Sequence, residues 1–253
     1  MKVTFLGTGT SQGVPVIACQ CKGCQSEDQK DKRLRSAVLI EDGETCIVID
    51  TGPDFREQML RENVRSLSAV LITHAHRDHI AGLDDIRSFN WVNKRPMDLY
   101  AEKLVMDSIM TSFPYIFVKD KYPGVPQLIL HEIDLHKFSV GSFDIEPIRM
   151  QHHQLPVLGF RIGDFAYLID SNFIPDDQLE KLKGLKYLVI GALRREKHIS
   201  HFSVSEALEI IEILQPEKAY LTHISHQLGL QSEFKQELPD NVYAAYDQLV
   251  LEV

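Results

Sequence analysis

The sequence predicts a β-rich α/β fold of the α+β kind, and three observations lead to this prediction. The chain has 253 residues, 44% of them apolar, so it can bury a large core. Short apolar runs of strand-like composition recur along the whole chain. Amphipathic helical segments separate some of these runs, which places functional residues on loops at strand ends. Because no repeat, low-complexity tract or linker interrupts the sequence, we expect a single domain over residues 1–253.

The predicted strands follow one another in a simple order. In the first half they are KVTFL, SAVLIED, TCIVID, SAVLIT and DLYA, and in the second half QLILHEI, FDIEPIRM, LGFRIG, FAYLID, KYLVIGA and KAYLTHI. The segment SVSEALEIIEIL is predicted to be a helix, with Ser203 as its N-cap and Glu206 three residues later. The aromatic, proline-rich segment SFPYIFVKDKYPGVP is expected to be a loop that packs over one end of the molecule.

The charge and the cysteine content limit the possible partners. Lys and Arg number 27 against 36 Asp and Glu, a formal net charge of −9 that gives no general attraction to nucleic acid or anionic lipid. No run approaches the roughly 18 apolar residues that a membrane span needs, and the start MKVTFLGTGTSQG is unlike a signal peptide. Four cysteines are too few for a disulfide scaffold. We therefore expect a cytoplasmic protein, with no membrane partner and no nucleic acid partner.

The stretch LITHAHRDHIAGLDD carries a dense group of metal-binding side chains. His74, His76, Asp78 and His79 are expected on a loop that leads into a helix beginning near Ile80. His74 and His76 are two residues apart on extended backbone, so their side chains can point to the same side. Asp78 and His79 come after the chain turns, so they can face a second metal position nearby. Two sets of ligands indicate two metal ions, and hydrolases use ions roughly 3.5 to 4 Å apart to generate hydroxide and stabilise phosphoryl charge. The alternative is a polar loop whose histidines only cap the helix.

The stretch THAHRDH resembles the HxHxDH signature of the metallo-β-lactamase superfamily. The resemblance implies a four-layer αββα sandwich with both metals at one edge of the paired sheets. It also implies later ligands at His152 in MQHHQLPVLGFRI, Asp170 in AYLIDSN and His223 in YLTHISH, each after an apolar β run. His153 competes with His152 for its role, and the resemblance favours His152.

The same resemblance divides these residues between the two metals. It assigns one metal to His74, His76 and His152 and the other to Asp78, His79 and His223, with Asp170 bridging them. The expected catalytic metals are Zn or Mn.

A second group of ligands lies in the motif CQCKGC. Cys19, Cys21 and Cys24 offer three thiolates on one loop, and a tetrahedral structural zinc needs a fourth ligand. Cys46 is a poor candidate because TCIVID is predicted to be a buried strand, in which a cysteine acts as a small apolar residue. His226, three residues after His223, is the better one. The alternative is an unligated loop in a reducing compartment.

The cysteine motif also indicates a subgroup within the superfamily. With this motif, the sequence resembles the PhnP-like phosphodiesterases of the carbon–phosphorus lyase pathway, which open phosphoribosyl cyclic phosphate. The resemblance runs from FLGTGTSQGVPV through LTHISHQLG to AAYDQLVLEV. It implies a metal-dependent phosphoric diester hydrolase with two catalytic metals, one structural zinc and a small phosphodiester substrate.

The segment GALRREKHISHFS lies between a predicted strand and helix. Its basic residues, Arg194, Arg195, Lys197 and His198, suit an anion-binding loop in an acidic protein, although a solvated basic turn is the alternative reading. His201 matches the position of a histidine that acts on the leaving oxygen in the resembled enzymes. An imidazole near its unperturbed pKa suits that task.

The candidate catalytic residues are therefore His201 and Asp78. Two alternative functions stay open: an RNA 3′ processing nuclease of the same fold, and a protein of pyrroloquinoline quinone biosynthesis. A homodimer is a further expectation.

Overall fold

The computed structural model describes residues 1–253 and contains fourteen strands. They are β1 (Lys2–Gly7), β2 (Ala37–Asp42), β3 (Thr45–Ile49), β4 (Ala69–Leu71), β5 (Met97–Ala101), β6 (Leu128–Glu132), β7 (Phe138–Val140), β8 (Phe143–His152), β9 (Leu155–Ile162), β10 (Phe165–Leu168), β11 (Tyr187–Gly191), β12 (Lys218–Thr222), β13 (Val242–Ala244) and β14 (Val250–Glu252).

Nine α-helices connect or cover these strands. They are α1 (Lys22–Gln25), α2 (Phe55–Arg61), α3 (Arg77–Ile80), α4 (Arg87–Asn93), α5 (Lys103–Ser112), α6 (Pro114–Phe117), α7 (Asp176–Glu180), α8 (Val204–Leu214) and α9 (Gln231–Phe234). Short 3₁₀ turns occur at Gln29–Asp31, Leu83–Ile86, His226–Leu228 and Lys235–Glu237. None of the helices combines the length and the apolar character needed to cross a lipid bilayer.

The strands form two seven-stranded sheets. The first has the order β14-β1-β2-β3-β4-β5-β6 and the second the order β13-β12-β11-β10-β9-β8-β7. In each sheet, antiparallel hairpins adjoin a parallel run: β3 to β6 in the first sheet and β10 to β13 in the second. Parallel strands point their carboxyl ends to one edge, so residues that follow β4, β10, β11 and β12 are brought toward a common region.

Three apolar clusters fill the layers. The central cluster joins the facing sides of both sheets and includes Phe5, Phe160 and Tyr167. The outer clusters pack helices onto the sheets, with Phe55 of α2 in one and Ile211 of α8 in the other. Truncating a fully buried phenylalanine such as Phe160 typically costs about 3–5 kcal/mol of stability. This layering is the predicted αββα sandwich, and the fold prediction is confirmed.

Three local predictions differ from the structure. The helix expected near Ile80 begins at Arg77, so Asp78 and His79 lie in its first turn. The segment predicted as a loop at residues 112–126 contains α6, which starts with a proline at its first position and buries Ile116. Strands β7, β13 and β14 were not predicted, because three residues are too few to show a period of two.

The N-terminus of α8 agrees with the prediction. Ser203 Oγ accepts a hydrogen bond from the Glu206 backbone N–H at 3.4 Å, and the Ser203 backbone N–H donates to Glu206 Oε2 at 2.9 Å. This reciprocal capping box satisfies two otherwise unpaired donors of the first turn.

Candidate metal centre

The predicted histidines converge at one edge of the sandwich. His74 and His76 follow β4, His152 ends β8 and His201 lies in the loop after β11. The ring centroids of His76 and His152 are 5.1 Å apart, and those of His152 and His201 are 4.5 Å apart. His223, just past the end of β12, stacks at 5.0 Å on His201. Residues from both sheets therefore meet in one group.

Asp170 lies between the histidines. Its Oδ2 atom is 2.6 Å from His79 Nε2 and 3.6 Å from His74 Nε2. Its Oδ1 atom is 2.7 Å from His223 Nε2 and 3.4 Å from His201 Nδ1. Since each carboxylate oxygen faces a different pair of imidazoles, the position suits the bridging role that the resemblance implies.

The two adjacent histidines after β8 differ in environment. His152 is 9% exposed and its ring lies 5.7 Å from that of His74. His153 is exposed, has a positive φ of 56° and makes no ring contact with the histidine group. The structure thus brings His152, the residue that the sequence favours, into the group and leaves His153 at the surface.

In His79 and His152, the Nδ1 atom donates a hydrogen bond to an oxygen that has no proton of its own and can only accept. His79 Nδ1 donates to the Asp50 carboxylate at 2.7 Å, and His152 Nδ1 donates to the Ser200 carbonyl at 2.8 Å. In a neutral imidazole, a proton on Nδ1 leaves a lone pair on Nε2. Both Nε2 atoms are therefore free to act as ligands.

Two further histidines are oriented through hydroxyl groups. The Thr73 hydroxyl donates to Asp50 Oδ2 at 2.8 Å, so it accepts from His74 Nδ1, which lies 3.0 Å away. The Ser36 hydroxyl donates to the Gly9 carbonyl at 2.9 Å and accepts from His223 Nδ1 at 3.2 Å. These bonds again leave Nε2 unprotonated, as metal-binding histidines require.

The unpaired atoms at the centre suit a cation. His79 Nε2 and Asp170 Oδ1 are buried, and their short contacts with Asp170 Oδ2 and His223 Nε2 lack hydrogen-bond geometry. Burial lowers the pKa of His79, but the carboxylates of Asp50 and Asp170 outweigh it and raise that pKa well above 6.5. The site thus attracts positive charge strongly enough to hold a proton there, and a divalent metal would take the place of that proton. The donor set of imidazole and carboxylate fits Zn or Mn.

Asp78 lies at the rim of the same group. Its Oδ2 atom is 3.1 Å from His79 Nε2, and its side chain is 13% exposed. Burial acts to raise the pKa of Asp78, but the contact with His79 lowers it below the ordinary value. The residue is therefore ionised at neutral pH.

The donor atoms form two overlapping trios. His74, His79 and Asp170 form one, and Asp170, His201 and His223 form the other, with all donor atoms of a trio within 4.8 Å of one another. His76 is exposed, with its Nδ1 atom 3.0 Å from His74 Nε2. The predicted division of ligands between two metals stays a prediction.

His201 differs from its expected environment. Its side chain is 16% exposed, and burial, followed by the charge of His223, lowers its pKa to about 3. We expected an imidazole near its unperturbed pKa, and that expectation is wrong for the protein without metals. His201 is neutral at neutral pH, because its polar surroundings are other imidazoles as well as one carboxylate.

The rest of the basic loop is bonded to the protein surface. Arg194 donates to Gln227 Oε1 at 2.8 Å, and Arg195 donates to the Leu228 carbonyl at 2.7 Å. The Lys197 side chain is 85% exposed. The two arginines are already engaged, and Lys197 Nζ lies 3.6 Å from Glu206 Oε1. Because the Lys197 side chain is largely in solvent, this contact still leaves it accessible to an anion.

The cysteine motif forms a second group. The Sγ atoms of Cys19 and Cys21 lie 3.2 and 3.4 Å from His226 Nδ1, and Cys24 Sγ completes a set of four donor atoms within 4.8 Å. Cys46 lies in β3, away from this set, as expected. Three thiols and one imidazole suit a tetrahedral zinc site.

Four residues around the histidines were not singled out from the sequence: Ser36, Asp50, Thr73 and Ser200. Asp50 carried a usable signal, because it directly follows an apolar strand in TCIVID, as Asp170 follows one in AYLID. Ser36, Thr73 and Ser200 carried no such sequence signal, because hydroxyl residues at strand ends are common. Their role here depends on contacts with histidines.

Comparison with known proteins agrees with this geometry. Residues 45–224 match the Beta-lactamase superfamily domain. A solved structure described as a new diphosphatase from the PhnP family is 36% identical, covers 100% of this chain and 97% of its own, and has a TM-score of 0.94. Zn²⁺-bound PqqB from Methylobacterium extorquens is 17% identical with a TM-score of 0.82 and full coverage of both chains, which shows the shared fold.

Two curated relatives extend the comparison. An octanoyltransferase of Porphyromonas gingivalis is 42% identical over 252 residues, which are 98% of this chain and 51% of that protein. Coenzyme PQQ synthesis protein B of Methylococcus capsulatus is 25% identical over 169 residues, which are 61% and 53% of the two chains. The chain spans about half the length of these curated relatives. The domain match, the αββα fold and the histidine group at its edge show that this chain belongs to the metallo-β-lactamase superfamily.

Proposed function

We propose that this chain is a dinuclear-metal-dependent phosphodiesterase that opens a small cyclic phosphodiester such as phosphoribosyl cyclic phosphate. The observation that carries the proposal is the set of four imidazoles, each with its Nδ1–H bonded outward, that present Nε2 around Asp170. The 36% identity to a PhnP-family diphosphatase over the whole chain supports phosphorus–oxygen bond hydrolysis.

The residues present suit three metal ions. We assign the two catalytic metals, Zn or Mn, to the ligands His74, His76, Asp78, His79, His152, Asp170 and His223. We assign one structural zinc to Cys19, Cys21, Cys24 and His226. Two divalent cations at the catalytic ligands supply Lewis acidity, which lowers the pKa of water and stabilises negative charge on a phosphoryl oxygen.

The protein's own residues hold this centre in place and receive the substrate. Asp50 keeps His79 and Thr73 oriented, and Thr73 in turn orients His74. His201 lies beside Asp170, and its imidazole N–H is the group that we propose contacts the phosphate or the leaving oxygen. Lys197 is exposed near this edge and suits long-range attraction of a small anion to an acidic protein.

The alternative functions find less support among these residues. A nucleic acid substrate would meet a net charge of −9. Acyl transfer, suggested by the name of one half-matched relative, would need a reactive nucleophile. Three of the cysteines lie in the Cys–His group, and burial raises the pKa of Cys46 to about 12. A role like that of PQQ synthesis protein B remains the second candidate, because that relative shares the matched region.

The experiment is a substrate panel with a matched pair of variants. Protein reconstituted with Mn, Zn or Ni is assayed on cyclic ribosyl phosphates, cyclic nucleotides, a diphosphate ester and short RNA. We expect the highest kcat/KM on a cyclic ribosyl phosphate, a loss of at least a hundredfold in His152→Ala and near-normal activity in His153→Ala. Preference for RNA or the diphosphate ester, or inactivity on the whole panel with full metal content, would refute the proposal.

The proposal includes the cellular compartment, the substrate and the oligomeric state of the enzyme. A zinc site with three cysteines is stable in a reducing compartment, so we place the protein in the cytoplasm. A small phosphodiester is the proposed partner molecule, and a homodimer is the proposed assembly.

A further inference from the structure

A cleft of about 460 Å³ lies away from the metal centre, beside β12 and β13. None of the predicted metal ligands lines it. Three tyrosines contribute to its wall: Tyr220, Tyr243 and Tyr246. We propose that this cleft binds a nucleoside monophosphate, with the base against the tyrosine rings and the phosphate near two lysines. This inference is independent of the proposed hydrolase activity.

The tyrosines form a platform for a planar ring. Tyr220 and Tyr243 are stacked, with ring centroids 5.3 Å apart and an interplanar angle of 28°. Tyr243 is 38% exposed, so one of these rings is open to solvent on the edge strand β13. Tyr220 is only 8% exposed, so its ring forms the buried base of this stack. An aromatic ring that is open on one side and supported by a second ring on the other suits stacking of a planar base.

The positive charges at this cleft are not neutralised by ion pairs. Lys30 and Lys235 line it, and neither is among the lysines that form salt bridges, which are Lys2, Lys22, Lys103, Lys137, Lys183, Lys186 and Lys197. Lys30 Nζ lies 4.6 Å from the centroid of the Tyr246 ring. The one acidic residue in the lining, Asp28, accepts a hydrogen bond from the Lys30 backbone N–H at 2.9 Å. The cleft therefore offers two free ammonium groups to a phosphate.

The neighbouring cleft extends the basic surface. It has a volume of about 520 Å³ and shares Lys30 and Tyr246 with the tyrosine cleft. It adds three basic residues, Lys32, Arg33 and Arg61, and two acidic ones, Glu57 and Asp247. Arg61 is held by Asp247 at 3.3 Å, and Lys32 makes no salt bridge. Aromatic rings at one end and free lysines at the other match the two parts of a nucleotide.

The test measures binding of adenosine 5′-monophosphate to the full chain by calorimetry or equilibrium dialysis. We expect saturable binding of one molecule, with Kd raised about tenfold or more in Tyr243→Ala, because stacking of one base is worth on the order of 1–3 kcal/mol. Tyr243→Phe keeps the ring and should bind within about twofold of the wild type. Lys30→Ala should weaken binding and make it less sensitive to salt.

Matched controls separate this site from the surface and from the metal centre. Tyr122→Ala and Lys119→Ala change exposed residues outside the cleft and should leave Kd unchanged. His152→Ala should also bind normally, and ribose 5-phosphate, which lacks a base, should bind more weakly than the nucleotide.

Three results would overturn the proposal. They are the absence of saturable binding at millimolar nucleotide, equal binding of ribose 5-phosphate, and binding that is lost in His152→Ala but kept in Tyr243→Ala.

Discussion

At the scale of single residues, the chemistry of the metal centre depends on where each imidazole holds its proton. Asp50 accepts hydrogen bonds from His79 Nδ1 and from the Thr73 hydroxyl, and Thr73 accepts from His74. One buried carboxylate thus sets the orientation of two proposed ligands. Such outer partners typically change metal affinity by 10- to 100-fold when they are removed.

Asp50→Asn tests this arrangement. The amide keeps the size of the side chain but removes the charge that favours His79 Nδ1–H, so we expect metal affinity to fall about 10- to 100-fold. Titration with Zn or Mn under a competing chelator measures the change. Asp42→Asn, which removes an exposed carboxylate at the end of β2, should bind metal like the wild type. An unchanged affinity in Asp50→Asn would contradict the assigned role.

His201→Ala tests whether the imidazole assists the leaving group. A nitrophenolate leaving group departs without a proton, whereas an alkoxide leaving group needs one. A positioned proton donor contributes about a hundredfold to ten-thousandfold to the rate. We expect a severe loss of turnover on a ribosyl phosphodiester and a milder one on bis-nitrophenyl phosphate, with metal content unchanged.

Other outcomes of that substitution assign other roles. Equal losses on the two substrates would show that His201 holds the phosphate or a metal, in keeping with its place in a trio with Asp170 and His223. No loss on either would remove it from the mechanism.

At the scale of secondary-structure elements, the backbone clamps the short helix α3 that carries Asp78 and His79. Thr51 N–H donates to the His79 carbonyl and Gly82 N–H donates to the Thr51 carbonyl, both at 2.8 Å. The turn after β3 approaches so closely that a Cβ at Gly52 would lie 2.1 Å from the Asp78 carbonyl oxygen. Four residues could not form a stable isolated helix, so these contacts hold α3 in place.

The capping box of α8 gives a prediction about stability. Ser203→Ala should lower the free energy of unfolding by about 1 kcal/mol, because it leaves a helix N-terminal donor without its partner. Urea titration measures the change. Ser88→Ala makes the same chemical change at an exposed position of α4, where the hydroxyl makes no hydrogen bond to the protein, and should be neutral or slightly stabilising. Equal effects in the two variants would contradict the capping role.

The contribution of the Ser203–Glu206 capping box to the free energy of unfolding should depend on pH. Burial acts to raise the pKa of Glu206, but its hydrogen bonds with Ser203 lower it below 4.5. A lowered carboxyl pKa stabilises the fold fully above the unfolded value and less as pH falls through the folded value. The difference between wild type and Ser203→Ala should therefore be constant at neutral pH and shrink below about pH 4.5.

At the scale of the whole molecule, the metal centre exists only because two sheets share an edge. His74, His76, Asp78 and His79 come from the first sheet, and His152, Asp170 and His223 from the second. The chain from His223 to His226 then joins this centre to the cysteine group within three residues. The two sites are therefore close neighbours with different donor chemistry.

Metal analysis should distinguish the two sites. We expect about three ions per chain, with one zinc that survives mild chelation after activity is lost, because a closed site with three thiolates releases metal slowly. Cys21→Ser should lose that zinc and unfold at a lower temperature. Cys46→Ala, a change in β3 outside the group, should retain it. A wild-type chain that keeps no zinc after mild chelation would refute the structural site.

The sequence by itself determined most strands, the capping of α8 and which histidine, aspartate and cysteine side chains are candidate metal ligands. These features are local: an apolar run that ends in His or Asp, or a serine followed by glutamate three residues later, is visible in a short window. The HxHxDH and CxCxxC spacings are local as well. The histidine after β8 lies outside these windows and was implied by the family resemblance that the motifs carry, and His226 was proposed from its place three residues after His223.

Only the tertiary structure decided the roles that depend on distant partners. Ser36 and His223 are far apart in sequence, as are Ser200 and His152, so no window could show that their hydrogen bonds orient the imidazoles. The low pKa of His201 arises from burial among residues of several strands. The short edge strands β13 and β14 form because longer neighbours offer unpaired hydrogen-bonding groups, which their own three residues cannot reveal.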